Sequence, residues 1–172
     1  MKIIRSVLIV IALLLAKISF AQSGLPKSEQ EFQNYFKGKK DSLDRIEGIW
    51  SVITTQEYYR YDTLYDVIKY PKPVKVAILS AGNGYDTYNL NGASYNVKFS
   101  RTDVPGVYLY RNYFEETSEY SRTQAVISKS GEMEYNYEFP EEYLKLKFKD
   151  SYESGTKVVN VLKWNRILPA QD

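Results

Sequence analysis

Three stretches of the chain alternate apolar and polar residues with a period of two. Tyr95, Val97 and Phe99 interleave with Ser94, Asn96 and Lys98. Met133, Tyr135, Tyr137 and Phe139 interleave with Glu132, Glu134, Asn136 and Glu138. Leu144, Leu146 and Phe148 interleave with Lys145, Lys147 and Lys149. Successive strand side chains point to opposite faces, so each pattern predicts a strand with one buried and one wet face. Val74 to Leu79, Val107 to Tyr113, Thr123 to Ser128 and Lys157 to Ile167 alternate less cleanly but are rich in β-forming residues.

Turn chemistry separates these runs: Gly82-Asn83-Gly84, Asn91-Gly92, Pro105-Gly106, Ser130-Gly131 and Ser154-Gly155. Such residues supply positive φ or a preset turn, and their regular spacing suits a meander, sandwich or barrel. Pro71 and Pro73 make Tyr70 to Pro73 an edge or a connection rather than a central strand. Ahead of the strands, Ser28-Glu29-Gln30-Glu31 has the form of a helix capping box, and Phe32, Tyr35 and Phe36 follow as one apolar stripe. A short helix is expected there, ended near Gly38, packed on the domain or closing one end of it.

The first 21 residues read differently. Lys2 and Arg5 precede an unbroken apolar run from Val7 to Ala16, and Ser19-Phe20-Ala21 places small residues where a signal peptidase cuts. The run is too short to span a bilayer, which takes ~20 apolar residues. The expected organisation is a signal peptide over 1–21, a tether and short amphipathic helix over 22–45, and a β-barrel domain over 46–169. Cleavage before Gln22 predicts an exported protein, periplasmic or extracellular, without stable membrane insertion.

Export changes the charge. Removing Lys2, Arg5 and Lys17 from 23 basic residues leaves 20 against 21 acidic ones. No strong field of one sign remains to attract nucleic acid, so that class of partner is not expected. The chain has no cysteine and no histidine. Thiol nucleophiles, histidine-dependent triads and the usual zinc sites are thereby excluded. No catalytic residue, metal ligand or cofactor is assigned.

Of the side chains that carry chemistry, 17 tyrosines stand out. Each joins a broad apolar face to one hydroxyl, which suits barrel walls and ligand platforms alike. Tyr58, Tyr59, Tyr61, Tyr65 and Tyr70 crowd a less regular stretch between the first two firm strands and form the candidate ligand-binding group. Glu115-Glu116 and Glu141-Glu142 are adjacent pairs. Read as strand neighbours they point apart, so neither forms the dyad a carboxylate hydrolase requires. Arg101, Arg111 and Arg122 are assigned to the exposed surface.

Gly48-Ile49-Trp50, opening the first strand, and Trp164-Asn165-Arg166, in the last, resemble the signature of lipocalins and the wider calycin group. That resemblance implies a barrel whose closed end holds Trp50, with Arg166 from the last strand packed across it, Lys163 being the substitute. It also implies that the short helix at Ser28 to Lys40 covers that end. Ile46-Glu47-Gly48-Ile49-Trp50, with a strand at Lys75 to Ile78, further resembles secreted bacterial proteins of unknown function. Gly48, Trp50, Trp164 and Arg166 are the structural signature. The expected fold is all-β, a single antiparallel up-and-down barrel of about eight to ten strands with a short N-terminal helix, a β-sandwich being the alternative. The expected role is noncatalytic binding of a small apolar or amphipathic ligand, or recognition of an envelope protein or glycan through surface tyrosines.

Overall fold

The computed structural model describes residues 24–169, so the signal peptide expected over 1–21 lies outside the described residues. A helix, α1 (Glu29–Gly38), and a single 3-10 turn (Lys40–Ser42) precede nine strands. These are β1 (Gly48–Arg60), β2 (Thr63–Lys69), β3 (Val74–Ala81), β4 (Gly84–Asn89), β5 (Ser94–Arg101), β6 (Val107–Phe114), β7 (Glu119–Ile127), β8 (Met133–Glu138) and β9 (Thr156–Leu168). A second helix, α2 (Glu141–Phe148), joins β8 to β9.

All strand pairs are antiparallel, and β1 pairs with β9 as well as with β3. That contact closes β1 and β3 to β9 into an eight-stranded barrel, which rules out two separately stacked sheets. Strand β2 lies outside the ring. Its place follows from the length of β1, whose first half, Gly48 to Val52, pairs with β3. The second half, Thr55 to Arg60, outruns β3 and pairs with β2 in a hairpin. Along its other edge β1 pairs with β9 from Ile49 to Arg60, so the seam is the longest ladder of the barrel.

The inner faces follow the alternation of the sequence. Trp50 and Val52 of β1, Val76 and Ile78 of β3, Tyr85 of β4 and Phe99 of β5 are buried in one core. Tyr108, Tyr110 and Phe114 of β6, Ala125 and Ile127 of β7, Met133, Tyr135 and Tyr137 of β8 and Trp164 of β9 complete it. Glu132, Glu134 and Glu138 are exposed on the opposite face. Pairing of β7 with β8 spans only Val126↔Glu134 and Ile127↔Met133. Beyond it the two strands are linked by the Ser121 hydroxyl, which donates to the Glu138 carbonyl.

Helix α1 is capped as its sequence predicts. Ser28 Oγ accepts the Glu31 N–H at 3.3 Å, while Glu31 Oε2 accepts the N–H of Lys27 at 2.8 Å, one residue earlier than in a standard box. Its buried Phe32 and Phe36 pack on Ile49, Ala77 and Leu79, residues of the outward face of β1 and β3. The helix therefore lies on the barrel wall and does not cover the closed end. That role falls to the segment after it. Ile46 is fully buried in the barrel core, and its carbonyl accepts the Trp50 indole N–H at 2.9 Å.

The segment Leu144 to Phe148 corrects the strand expectation: it is helix α2. Pro140 precedes it at the N-cap, Glu141 and Glu142 lie in the first turn, and Lys145 and Lys147 in the last. This charge order matches the helix dipole, and Glu, Leu and Lys all favour a helix. Only Leu144 of the three apolar residues is buried. Three repeats of a two-residue pattern were too few to outweigh these signals.

Candidate ligand-binding cavity

The closed end of the barrel is filled with side chains. Arg166 faces Trp50 across the β1–β9 seam as its direct pairing partner, with the guanidinium 4.8 Å from the indole centroid. Trp50 meets Trp164 edge to face at 6.3 Å, and Phe99 meets Trp164 at 6.0 Å. Trp50, Trp164 and Arg166 of the sequence signature thus meet at one end. Burial lowers the Arg166 pKa, with the positive charge of Arg45 adding to the effect. Arg45 ties the adjoining loop, its Nη2 donating to Ser128 O at 3.0 Å. Nε and Nη2 of Arg166 have no hydrogen-bond partner among the described residues. Nearby, Asp44 accepts the Tyr85 hydroxyl at 2.7 Å and is ion-paired with Arg101.

Above this plug the barrel is hollow. A cavity of about 320 Å³ is lined by residues of seven of the eight barrel strands. Val52, Val74, Val76, Val97 and Leu162 give it aliphatic walls. Tyr95, Tyr110, Tyr135, Tyr137 and Trp164 give it aromatic ones, and Thr54, Thr87 and Asn112 add polar atoms. No charged residue lines it. The volume falls within the usual range of small-molecule sites, and the predominance of apolar lining fits one. Tyr110 and Tyr137 stack with centroids 5.2 Å apart, and Tyr135 lies 5.9 Å from Trp164 at an interplanar angle of 32°.

Burial pushes the Tyr110 and Tyr135 hydroxyls well above the ordinary tyrosine range and raises Tyr137 and Tyr95 as well. The phenols of the cavity therefore stay neutral at physiological pH. Asn160 donates to Tyr137 OH at 2.7 Å. Among the described residues Thr87 Oγ1 has no hydrogen-bond partner, and the Trp164 indole N–H lies toward the Tyr135 hydroxyl without closing a well-formed hydrogen bond.

A second, more open hollow of about 680 Å³ shares Tyr95, Asn112 and Tyr137 with the first and so forms its mouth. Phe114, Phe139 and Tyr143 form an aromatic cluster there, with Phe139 and Tyr143 stacked at 5.3 Å. Glu115 and Glu116 lie at this rim, but Glu115 accepts the Asn96 amide at 2.8 Å and Glu116 pairs with Lys147 at 3.1 Å. Glu141 and Glu142 both reach Lys145 from the first turn of α2, at 3.1 and 2.8 Å. They sit on a helix, not on a strand as expected.

The five tyrosines singled out from the sequence lie outside the cavity lining. Tyr58, Tyr59, Tyr61, Tyr65 and Tyr70 belong to the β1–β2 hairpin and its flanks. Tyr58 and Tyr65 approach to 6.3 Å, with Phe148 of α2 6.4 Å from Tyr58. Gln56 Oε1 accepts both the Tyr58 and Tyr70 hydroxyls, at 3.0 and 2.8 Å. Tyr59 alternates away from Tyr58 and donates to Glu57 at 2.7 Å. Tyr61 occupies the turn with φ 47° and is 72% exposed. Of the three arginines, Arg111 and Arg122 are cross-strand partners, and Arg101 joins Asp44 at the closed end.

The cavity residues that the tyrosine cluster did not reveal were visible in another signal. Tyr95 and Val97, and Tyr135 and Tyr137, are the apolar halves of the two cleanest alternating segments. Thr87 had no such marker, because β4 is short and each of its faces mixes a tyrosine with a polar residue, Tyr85 with Thr87 inside and Tyr88 with Asp86 outside. No family model matches the chain, and neither a curated protein nor a solved structure matches it.

Proposed function

We propose that this protein is an exported, noncatalytic, lipocalin-like carrier that binds a small apolar or amphipathic molecule inside its barrel. The observation that carries the reading is the 320 Å³ cavity, walled by apolar and aromatic side chains and opening through an aromatic rim. Burying a ligand there removes apolar surface from water on both partners, at ~25 cal/mol per Å². The Trp50–Arg166 plug supports the lipocalin-like assignment, since it supplies the aromatic–cation pair at the narrow end. Native mass spectrometry of the protein purified from its own envelope tests the reading. Co-purified mass in the small-molecule range, released by organic solvent, is the expected result. Ligand-free mass from every preparation, with no uptake of any added hydrophobic probe, would refute it. Amino-terminal sequencing of the same material should begin at Gln22, and an intact Met1 would remove export from the proposal.

A second reading has its own observation. Strand β2 is exposed along its whole length and, among the described residues, pairs only with β1, which leaves its other edge unpaired there. Tyr61, Leu64, Tyr65, Val67, Ile68 and Tyr70 are all exposed large side chains on or beside it. An unpaired edge with apolar flanks is a surface for strand addition or for a glycan stacked on tyrosine. Crosslinking from a photoreactive residue at position 65 should capture an envelope protein or glycan if this reading holds; crosslinks to solvent alone would reject it.

A further inference from the structure

Thr87, Tyr135 and Trp164 are 1%, 5% and 4% exposed; among the described residues Thr87 Oγ1 has no hydrogen-bond partner, and Trp164 Nε1–H and Tyr135 OH have only a loose contact with one another, short of a well-formed bond. An unsatisfied buried polar group costs about 1–3 kcal/mol. All three line one cavity, whose other polar side chains are Thr54, Tyr95, Tyr110, Asn112 and Tyr137, the last already bonded to the Asn160 amide. In the strand order β4 and β8 stand four places apart around the ring of eight, so Thr87 and Tyr135 face each other from opposite walls. Trp164, on β9 next to β8, completes the set.

The chemistry of the three groups narrows the occupant. Trp164 Nε1–H is a donor only, while the two hydroxyls both donate and accept. A ligand that meets all three must therefore carry at least one acceptor. A charged head is disfavoured, because the lining holds no opposite charge and burying an unpaired ion is costly. The tyrosine and indole rings of the wall favour a flat partner, which stacks or meets them edge-on. The volume holds roughly ten water-sized groups, enough for a fused pair of rings and too little for a long acyl chain.

Resting on the cavity-binding reading above, we infer that the barrel takes an uncharged, flat, ring-containing molecule whose hydrogen-bond acceptor is held between Tyr135, Trp164 and Thr87. The three groups then make no well-formed hydrogen bond among the described residues because the ligand is their partner. The arrangement costs stability in the free protein and returns it as selectivity.

Three probes of similar size separate this inference from the reading beneath it: coumarin, which is neutral and carries a carbonyl; naphthalene, which has no acceptor; and 2-naphthoate, which is charged. Titration calorimetry on the purified protein should find coumarin about tenfold tighter than naphthalene, the equivalent of one good net hydrogen bond. 2-Naphthoate should bind more weakly than either. Tyr135→Phe should bring coumarin close to naphthalene while leaving naphthalene unchanged, and should not lower the melting temperature, since the hydroxyl it deletes makes no well-formed hydrogen bond. Thr87→Val repeats the test from the opposite wall and serves if the first variant folds poorly. Equal affinity for coumarin and naphthalene would overturn the inference and leave an unselective apolar cavity, with ordered water as the partner of the three groups. So would coumarin binding indifferent to both variants, or 2-naphthoate binding as tightly as coumarin. Failure of all three probes would remove the cavity-binding reading itself.

Discussion

Trp50 and Arg166 are direct partners across the seam between β1 and β9, and the guanidinium lies 4.8 Å from the indole centroid. The contact joins the opening of the first strand to the last, so it reports on closure of the sheet and not on local packing alone. Trp50 is held from a second side by its indole N–H bond to the Ile46 carbonyl, which draws the preceding segment across the barrel end. Closure, plug and coverage of the narrow end thus depend on one ring.

Removing that ring should be costly. Trp50→Ala is expected to lose about 3–5 kcal/mol, as for other fully buried aromatics. Arg166→Ala should lose less, within the ~2 kcal/mol of a partly desolvated cation–π contact. In the double variant the losses should fall short of additive by at least about 0.5 kcal/mol, because the second substitution removes a contact already gone. Urea unfolding of the four proteins measures the coupling, and additive losses would show that the contact contributes nothing.

Gly48 begins β1 with φ 149°, and a Cβ built there would collide with the backbone carbonyl oxygen of Leu168. The close approach of β9 at the seam is therefore permitted by the missing side chain. Gly48→Ala should destabilise by more than about 1 kcal/mol, opposite in sign to the gain such a change gives at a tolerant site. A neutral or stabilising result in thermal unfolding would mean that the seam relaxes freely.

How much of this was legible follows residue by residue. The alternation of Tyr95-Val97-Phe99 and Met133-Tyr135-Tyr137 marked the inner wall, because a half-buried strand has no other way to sort its side chains. Trp50 and Arg166 were identified through resemblance; their distance in sequence hid that they are neighbours. The Tyr58–Tyr70 cluster was visible as composition, but its position was not. Whether those rings entered the barrel depended on β1 outrunning β3, a matter of relative strand length that no local pattern records. Tyr135 and Trp164 belong to the neighbouring strands β8 and β9 and Thr87 to β4, so only closure of the ring brings Thr87 to the other two.

Leu144 and Leu146 distinguish the two readings of the segment before β9. On a strand they would share a face and be buried together, whereas on α2 they point apart, Leu144 being 2% and Leu146 44% exposed. Leu144→Ala should therefore cost about 2–5 kcal/mol. Leu146→Ala, at an exposed site, should stay within about 0.5 kcal/mol. Comparable losses from both, measured by denaturant unfolding, would favour the strand.

Asp44 makes the closed end sensitive to acid. The hydrogen bond from Tyr85 and then that from Arg101 hold its carboxyl below the usual aspartate value. A pKa lowered in the folded state means that folding favours the ionised form. The associated stability is fully present above the unfolded value of about 3.9 and is lost as pH falls through the lower native value. Asp44→Asn cannot ionise and has no such dependence at this position. The gap in unfolding free energy between wild type and Asp44→Asn should therefore be constant from pH 7 to about pH 5 and should narrow below about pH 4. Comparing the two proteins at each pH cancels the titration of carboxylates they share. A gap that persists unchanged to pH 2 would show that the carboxylate gains nothing from Tyr85 and Arg101.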